Sequence, residues 1–257
     1  MAEELMLSLL TGIFVGFSAG YLGSLMVLEK MALVGDALSH VALPGLALGI
    51  LFNFSPFLGA FAFLFASAVI IWHLGRVTKL PFETIVGAMF TLALAIGILI
   101  IPETDLLEAL FGDITKVTIL DTATAVIVSV IAVFLTKIIY KKLVLSMISE
   151  ELATSKGINV GRINLLYLIL VSLVVAIGIR IVGTLLVGFL VVVPAAAAKN
   201  VSTDLLKYAV LSASFGTACS CSGILFSSYL NLATGPLVVF SGIVVFLVTV
   251  LVKWKTK

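Results

Sequence analysis

Asp36 and His40 stand four residues apart in "GDALSHVALPG", residues 35–45, a stretch that is otherwise almost entirely apolar. His40 is one of only two histidines in the chain. On a helix, positions i and i+4 lie one above the other, so the pair would offer a carboxylate and an imidazole on one face. That donor set suits manganese, zinc or ferrous iron better than copper(I), potassium or a sugar. The same two groups also suit a hydrogen bond that orders helix packing, or a proton relay. As metal ligands, two groups are too few for tight binding. A transient site wants weak binding, and a symmetric dimer would bring the count to four. Pro44 follows directly and, lacking an N–H, leaves the His40 carbonyl without its helical partner.

The cost of that acid depends on the solvent around it. Hydrophobic residues make up 62% of the 257 and charged residues 11%. A soluble domain carries about 25% charged residues, so this chain reads as one all-α integral membrane domain over residues 1–257. A spanning helix needs roughly 20 apolar residues. Nine segments qualify, at about 5–28, 34–52, 56–73, 83–101, 120–140, 163–181, 184–198, 205–228 and 236–252, the seventh being the shortest. With an interface at Glu29 and Lys30, Asp36 and His40 lie about 9–15 Å into the hydrocarbon at roughly 1.5 Å per residue. A carboxylate at that depth costs about 2.5–3.5 kcal/mol on insertion scales, so it faces protein or a watery path and is a functional candidate.

Nine spans put the termini on opposite sides, and the positive-inside rule orients them. With the N-terminus outside, thirteen of the fifteen lysines and arginines fall on the inner side, leaving only Lys116 and Arg180 outside. The outer breaks collect acids instead, among them Glu103, Asp105, Glu108 and Asp113. Such a mouth would attract cations, although acids also accumulate wherever basic residues are excluded. The outer connection 102–119 contains "DLLEALFGD" and reads as a short amphipathic helix at the interface. The inner connection 141–162 contains "SEELATSKGINVG". Ser149 is a good N-cap, Glu150 and Glu151 suit the first turn, and Gly157 offers a left-handed stop. A two-turn helix of this kind is marginal alone and needs something to dock on.

Other features carry less. His73, beside Trp72 and Arg76, reads as an interfacial anchor, and Arg180 as a residue that snorkels at the outer interface. Cys219 and Cys221, two apart on a helix, point to different faces and read as small buried residues rather than a joint metal site. The 21 glycines permit close helix approach in lipid. The acidic start "MAEE" does not suit a cleavable signal peptide. No GxxxxGK[ST] loop, HExxH motif or convincing Ser–His–acid set occurs, so the chain is not expected to be an enzyme, and nucleotide-driven work would need a separate polypeptide.

The stretch "GSLMVLEKMALVGDALSHVALPGLALG" (23–49) closely resembles the signature of membrane permeases of bacterial and archaeal zinc and manganese ABC importers, the ABC-3 family. The likeness continues in order through "EALFGDITKVT" (108–118), "LSMISEELATSKGINVGRI" (145–163), "VGTLLVGFLVVVPAAAAK" (182–199) and "SYLNLATGPLVVF" (228–240). The resemblance implies the type II ABC importer permease fold in the cell membrane. It also implies a homodimer of permeases, two cytoplasmic ATPase subunits that hydrolyse ATP, and an extracytoplasmic metal-binding protein. The divalent ion (zinc, manganese or ferrous iron) would be cargo rather than a resident cofactor, and nucleic acid has no place in the assembly. Carried over residue by residue, Asp36 and His40 match the metal-contact pair. Ser149, Glu150, Glu151, Leu152, Ala153, Gly157, Asn159 and Gly161 match the segment that couples to the ATPase, at about 148–162. Glu29-Lys30 departs from the two basic residues common before "MA" in the family. The rival reading is a proton-coupled carrier or channel without an ATPase, and internal inverted repeats, which would support it, are not evident.

Overall fold

The computed structural model describes residues 2–78, 80–101, 110–112, 117–184 and 187–255. Among these, eight stretches are long and apolar enough to cross a membrane, and a ninth apolar helix is shorter. In chain order they form α1 (Ala2–Leu28), α2 (Ala32–Val41), α3 (Leu43–Leu51), α4 (Pro56–Thr78), α5 (Phe82–Ile100) and α6 (Ile119–Ile148). Then follow α7 (Glu150–Ser155), α8 (Val160–Val182), α9 (Val187–Val201), α10 (Leu205–Leu230) and α11 (Thr234–Lys255). The short seventh segment is thus the 15-residue α9, which carries Pro194 inside it. Residues 102–109 and 113–116 lie outside the described set. The expected outer helix therefore falls largely there, and Glu103, Asp105, Glu108 and Asp113 do so entirely, as does the side chain of Arg180.

Two of the expected spans differ in an informative way. The second is a single 20-residue apolar stretch, Ala32–Leu51, interrupted at Ala42 between α2 and α3. Pro44 in the first turn of α3 explains the interruption, because it has no N–H for the ladder. The fifth span, expected to end near residue 140, continues to Ile148 as a 30-residue helix. Lys137, Lys141 and Lys142 mark the edge of the hydrocarbon but do not stop a helix, since lysine is a good helix former.

Helix starts and stops follow local chemistry. Thr118 and Asp121 form a reciprocal capping box at the start of α6, and Asp204 caps α10 by accepting from the Lys207 N–H at 2.8 Å. α10 ends at Asn231 in a left-handed conformation.

α1 is the central post, packed against α6, α9 and α10. Its glycines Gly12, Gly16 and Gly20 recur every four residues and meet α10 at Ile224, Gly216 and Ser212. A side chain at Gly16 would collide with the Gly216 backbone, so the two helices touch main chain to main chain. Without water to drive apolar burial, such contact is how helices associate in lipid. Polar side chains on other faces of α1 are paired. The Thr11 hydroxyl donates to Thr122 Oγ1 at 2.9 Å, and the Ser18 hydroxyl donates to Ser129 Oγ at 3.1 Å. Ser212 donates to the Gly20 carbonyl at 2.6 Å, and Tyr167 to the Leu22 carbonyl at 2.8 Å. This post holds α9, and α9 in turn holds α2: a Cβ at Gly188 would meet the backbone of Asp36.

Candidate metal-contact site and its connection to the α7 segment

α2 presents Asp36 and His40 differently. Gly35, Leu38, Ser39 and Val41 bury one side of the helix, the Ser39 hydroxyl donating to the Asp36 carbonyl at 2.6 Å. His40 is 8% exposed, its ring edge-on to Phe90 of α5 with centroids 5.2 Å apart. Its Nδ1 is buried and has no hydrogen-bond partner. Asp36, one turn back, is exposed on the outer surface of the chain. It opens into a groove of about 250 Å³ shared with Leu33, Ala37, Glu83, Val86 and Phe90. No hydrogen bond joins Asp36 to His40 among the described residues, so the pair does not act as an internal packing bond.

The outward Asp36 carboxylate and the His40 Nδ1 one turn on have no hydrogen-bond partner among the described residues. Among the described residues no group of three or more His, Cys, Asp or Glu is arranged to hold a metal ion. Glu83, in the first turn of α5, adds a second carboxylate to the same groove. Sequence reasoning missed it because a single acid at the start of a span looks like an ordinary dipole-favoured residue. Only the packing of α5 on α2 brings it beside Asp36.

The α7 segment is built as its sequence suggests. Ser149 Oγ accepts from the Leu152 N–H at 3.1 Å. At the other end Gly157 adopts φ +74°, its N–H reaching the Thr154 carbonyl and that of Ile158 the Ala153 carbonyl. That is a Schellman stop, which glycine accommodates without strain. The helix itself is only six residues, Glu150–Ser155, rather than most of 148–162. Asn159 belongs to the next element, capping α8 by accepting from the Arg162 N–H at 3.1 Å. The Gly161 carbonyl accepts the Trp72 indole N–H at 2.7 Å, tying α8 to α4. Trp72 is thus a helix-to-helix tie, while His73 is exposed. Glu150, Glu151, Leu152 and Gly157 are exposed, but Ala153 is 0% exposed. Ala153 packs inward, while its expected coupling neighbours Glu150, Glu151 and Leu152 face out.

Cys219 is buried and Cys221 partly so; the two are unpaired and turned differently, as their spacing implies.

Comparison with known proteins follows the same lines. The manganese transport system membrane protein MntC of Listeria monocytogenes is 32% identical over 248 residues, covering 95% of this chain and 89% of that protein. The high-affinity zinc uptake system membrane protein ZnuB of Buchnera aphidicola is 32% identical, covering 95% of this chain and 96% of its own length. Among solved structures, PsaBC from Streptococcus pneumoniae in complex with Fab superimposes with a TM-score of 0.84 at 32% identity, over 94% of this chain and 89% of that one. The profile of the ABC 3 transport family matches residues 1–253. An all-helical, multi-pass membrane chain with this architecture and this match is a member of the ABC 3 transport family.

Proposed function

We propose that the chain is the permease subunit of an ATP-driven importer of divalent metal ions, manganese or zinc and by the same chemistry ferrous iron. The observation that carries the reading is the α2 pair, read as one half of a site: Asp36 faces outward and the His40 Nδ1 has no partner, with Glu83 in the same groove as Asp36. Two copies facing each other across this groove supply two carboxylates and two imidazoles, enough to hold a desolvating ion briefly without trapping it. The relatives named for manganese and zinc support the cargo class. The proton-coupled carrier loses its support with membership in an ABC family.

In this reading the N-terminus is outside and the C-terminus in the cytoplasm of a cell-membrane protein, following the lysine and arginine distribution. An extracytoplasmic binding protein delivers the ion to the outer face, where Glu103, Asp105, Glu108 and Asp113 draw cations. ATPase subunits, separate polypeptides that carry the hydrolysis, dock on the exposed residues of α7. Their closure pushes α7 as a rigid body, and the interface between the two copies switches from outward to inward access.

Uptake by proteoliposomes holding the permease and its ATPase, across a panel of Mn2+, Zn2+ and Fe2+, tests the reading. ATP-dependent accumulation of at least one ion is expected, and uptake indifferent to ATP contradicts it. Leu152→Glu, on the exposed side of α7, should weaken co-purification of the ATPase about tenfold, the effect of losing about 1.4 kcal/mol at an interface. Unchanged co-purification removes α7 from the docking surface.

A further inference from the structure

The end of the bundle at which α1, α4, α6, α9 and α11 finish and α2, α5, α8 and α10 begin is unevenly charged. On the side formed by α1, α2, α4, α5, α7 and α8, the cations Lys30, Arg76, Lys156 and Arg162 are matched among the described residues by Glu29, Glu83, Glu150 and Glu151. The side formed by α6, α9, α10 and α11 is different. α6 carries Lys137, Lys141 and Lys142 there, and α9 carries Lys199. Lys207 stands at the start of α10, and Lys253 and Lys255 at the end of α11. Asp204, which caps α10, is the one acid on that side among the described residues. A preference for lysine and arginine on one face of a membrane explains cations at this end of the bundle, but not their gathering on one side of it.

Contacts join these four helix ends into one surface. The Tyr140 hydroxyl of α6 donates to the Leu205 carbonyl at the start of α10, at 3.4 Å. Tyr208 of α10 packs with Ala195 and Ala198 of α9. The Asn200 side chain of α9 donates to Thr249 of α11 at 3.3 Å and accepts from Lys253 at 3.5 Å. All of the lysines on this side are exposed. Among the described residues, the ammonium groups of Lys137, Lys141, Lys142, Lys199 and Lys207 have no carboxylate or other hydrogen-bond partner. Exposed apolar side chains stand beside them: Ile138, Leu206 and Trp254.

We infer that this surface binds anionic phospholipid, the lysine ammonium groups taking the headgroup phosphates while Ile138, Leu206 and Trp254 lie against the acyl chains and glycerol region. Lysine holds phosphate as a point charge on a flexible stem, so several lysines along an edge suit a fluid layer of anionic headgroups better than one shaped anion. The stems cover apolar neighbours while the charged heads reach outward. An acidic protein surface would meet the same charges, but exposed isoleucine, leucine and tryptophan beside them favour a lipid. The inference does not depend on the import reading, and the Asp36 groove, formed by α2 and α5, lies apart from it. Bound lipid joins the ends of α6, α9, α10 and α11, three of which pack on the central post α1, so its occupancy stabilises the frame.

The test uses the purified full-length chain in detergent, with phosphatidylglycerol and phosphatidylcholine of identical acyl chains as probes. Native mass spectrometry measures bound lipid, and melting curves report its effect. Phosphatidylglycerol is expected to bind at least fivefold more tightly than phosphatidylcholine, to raise the melting temperature more, and to lose this advantage at high salt. Lys141→Gln, Lys142→Gln and Lys207→Gln together should cut the advantage at least threefold without moving the lipid-free melting temperature, and arginine at the same three positions should keep it. Lys30→Gln, Lys156→Gln and Arg162→Gln together remove the same charge from the balanced side and should leave the advantage intact. Equal binding of the two lipids overturns the proposal, and so does equal loss in the two glutamine triples, which would make net charge the whole cause. Stabilisation by inorganic phosphate as large as that by phosphatidylglycerol overturns it in favour of a free anion. A lysine-side triple that keeps its lipid but no longer co-purifies with the ATPase assigns the surface to a protein partner and overturns it too. None of these failures touches the transport reading, which is judged by uptake.

Discussion

The faces of α1 and the outer face of α2 sit in the same kind of solvent and treat polarity in opposite ways. On α1, Thr11 and Ser18 donate to hydroxyls of α6, and the carbonyls of Gly20 and Leu22 each receive a hydroxyl from another helix. Glycine lets main chains touch there, and these polar groups are closed within the molecule. On α2, Asp36 faces outward and the His40 Nδ1 has no partner. Lone hydroxyls such as those of Ser172 and Ser220 are also unpaired. An unpaired hydroxyl, however, costs far less than a carboxylate at membrane depth. Polar groups that a membrane protein closes internally build its frame; charged groups left open mark where something else must arrive.

Substitutions separate these two roles. Asp36→Ala should bring metal uptake down to that of protein-free liposomes while the melting temperature holds or rises, since its exposed side chain makes no bond within the chain; His40→Ala should abolish uptake too but lower the melting temperature, because it removes a buried ring packed on Phe90. Gly16→Leu should do the reverse in kind: loss of folded protein, about 1–3 kcal/mol or more for overpacking a backbone contact, seen as a lower melting temperature and yield. Glu83→Gln, on the open face but off the pair, should lower uptake less than Asp36→Ala and leave stability unchanged. Wild-type uptake in that variant would confine the site to α2. Ser18→Ala, on the closed face, should cost only about 0.6 kcal/mol, the average for an interhelical hydrogen bond in lipid, with uptake normal.

The legibility of the sequence divides along the same line. Spans could be read because lipid demands long apolar runs, but the break at Ala42 was not legible, although Pro44 already signalled a freed carbonyl at His40. The pair of Asp36 and His40 stood out because a charge in such a run is costly. The caps of α7 were legible one residue at a time, through Ser149 and Gly157. Facts about faces across helices were not. The meeting of Gly16 with Gly216, the inward turn of Ala153 and the approach of Glu83 to Asp36 all depend on tertiary packing. The run of α6 to Ile148 was hidden for another reason: Lys141 and Lys142 interrupt the apolar run, and a helix continues past them without a signal that hydropathy can register. Glu29 stood out only as a departure from a pattern, and its partial burial at the α1–α2 junction follows from packing.

The central claim is that the half-site on α2 is completed by a second copy around one shared ion. Complexes with one wild-type copy and one Asp36→Ala copy, isolated through two different affinity tags and reconstituted with the ATPase, test it most directly. Initial uptake rates close to those of the fully substituted complex are expected, because each ion needs both carboxylates. A rate near half of wild type would mean that each chain conducts ions by itself, and the shared site would have to be abandoned.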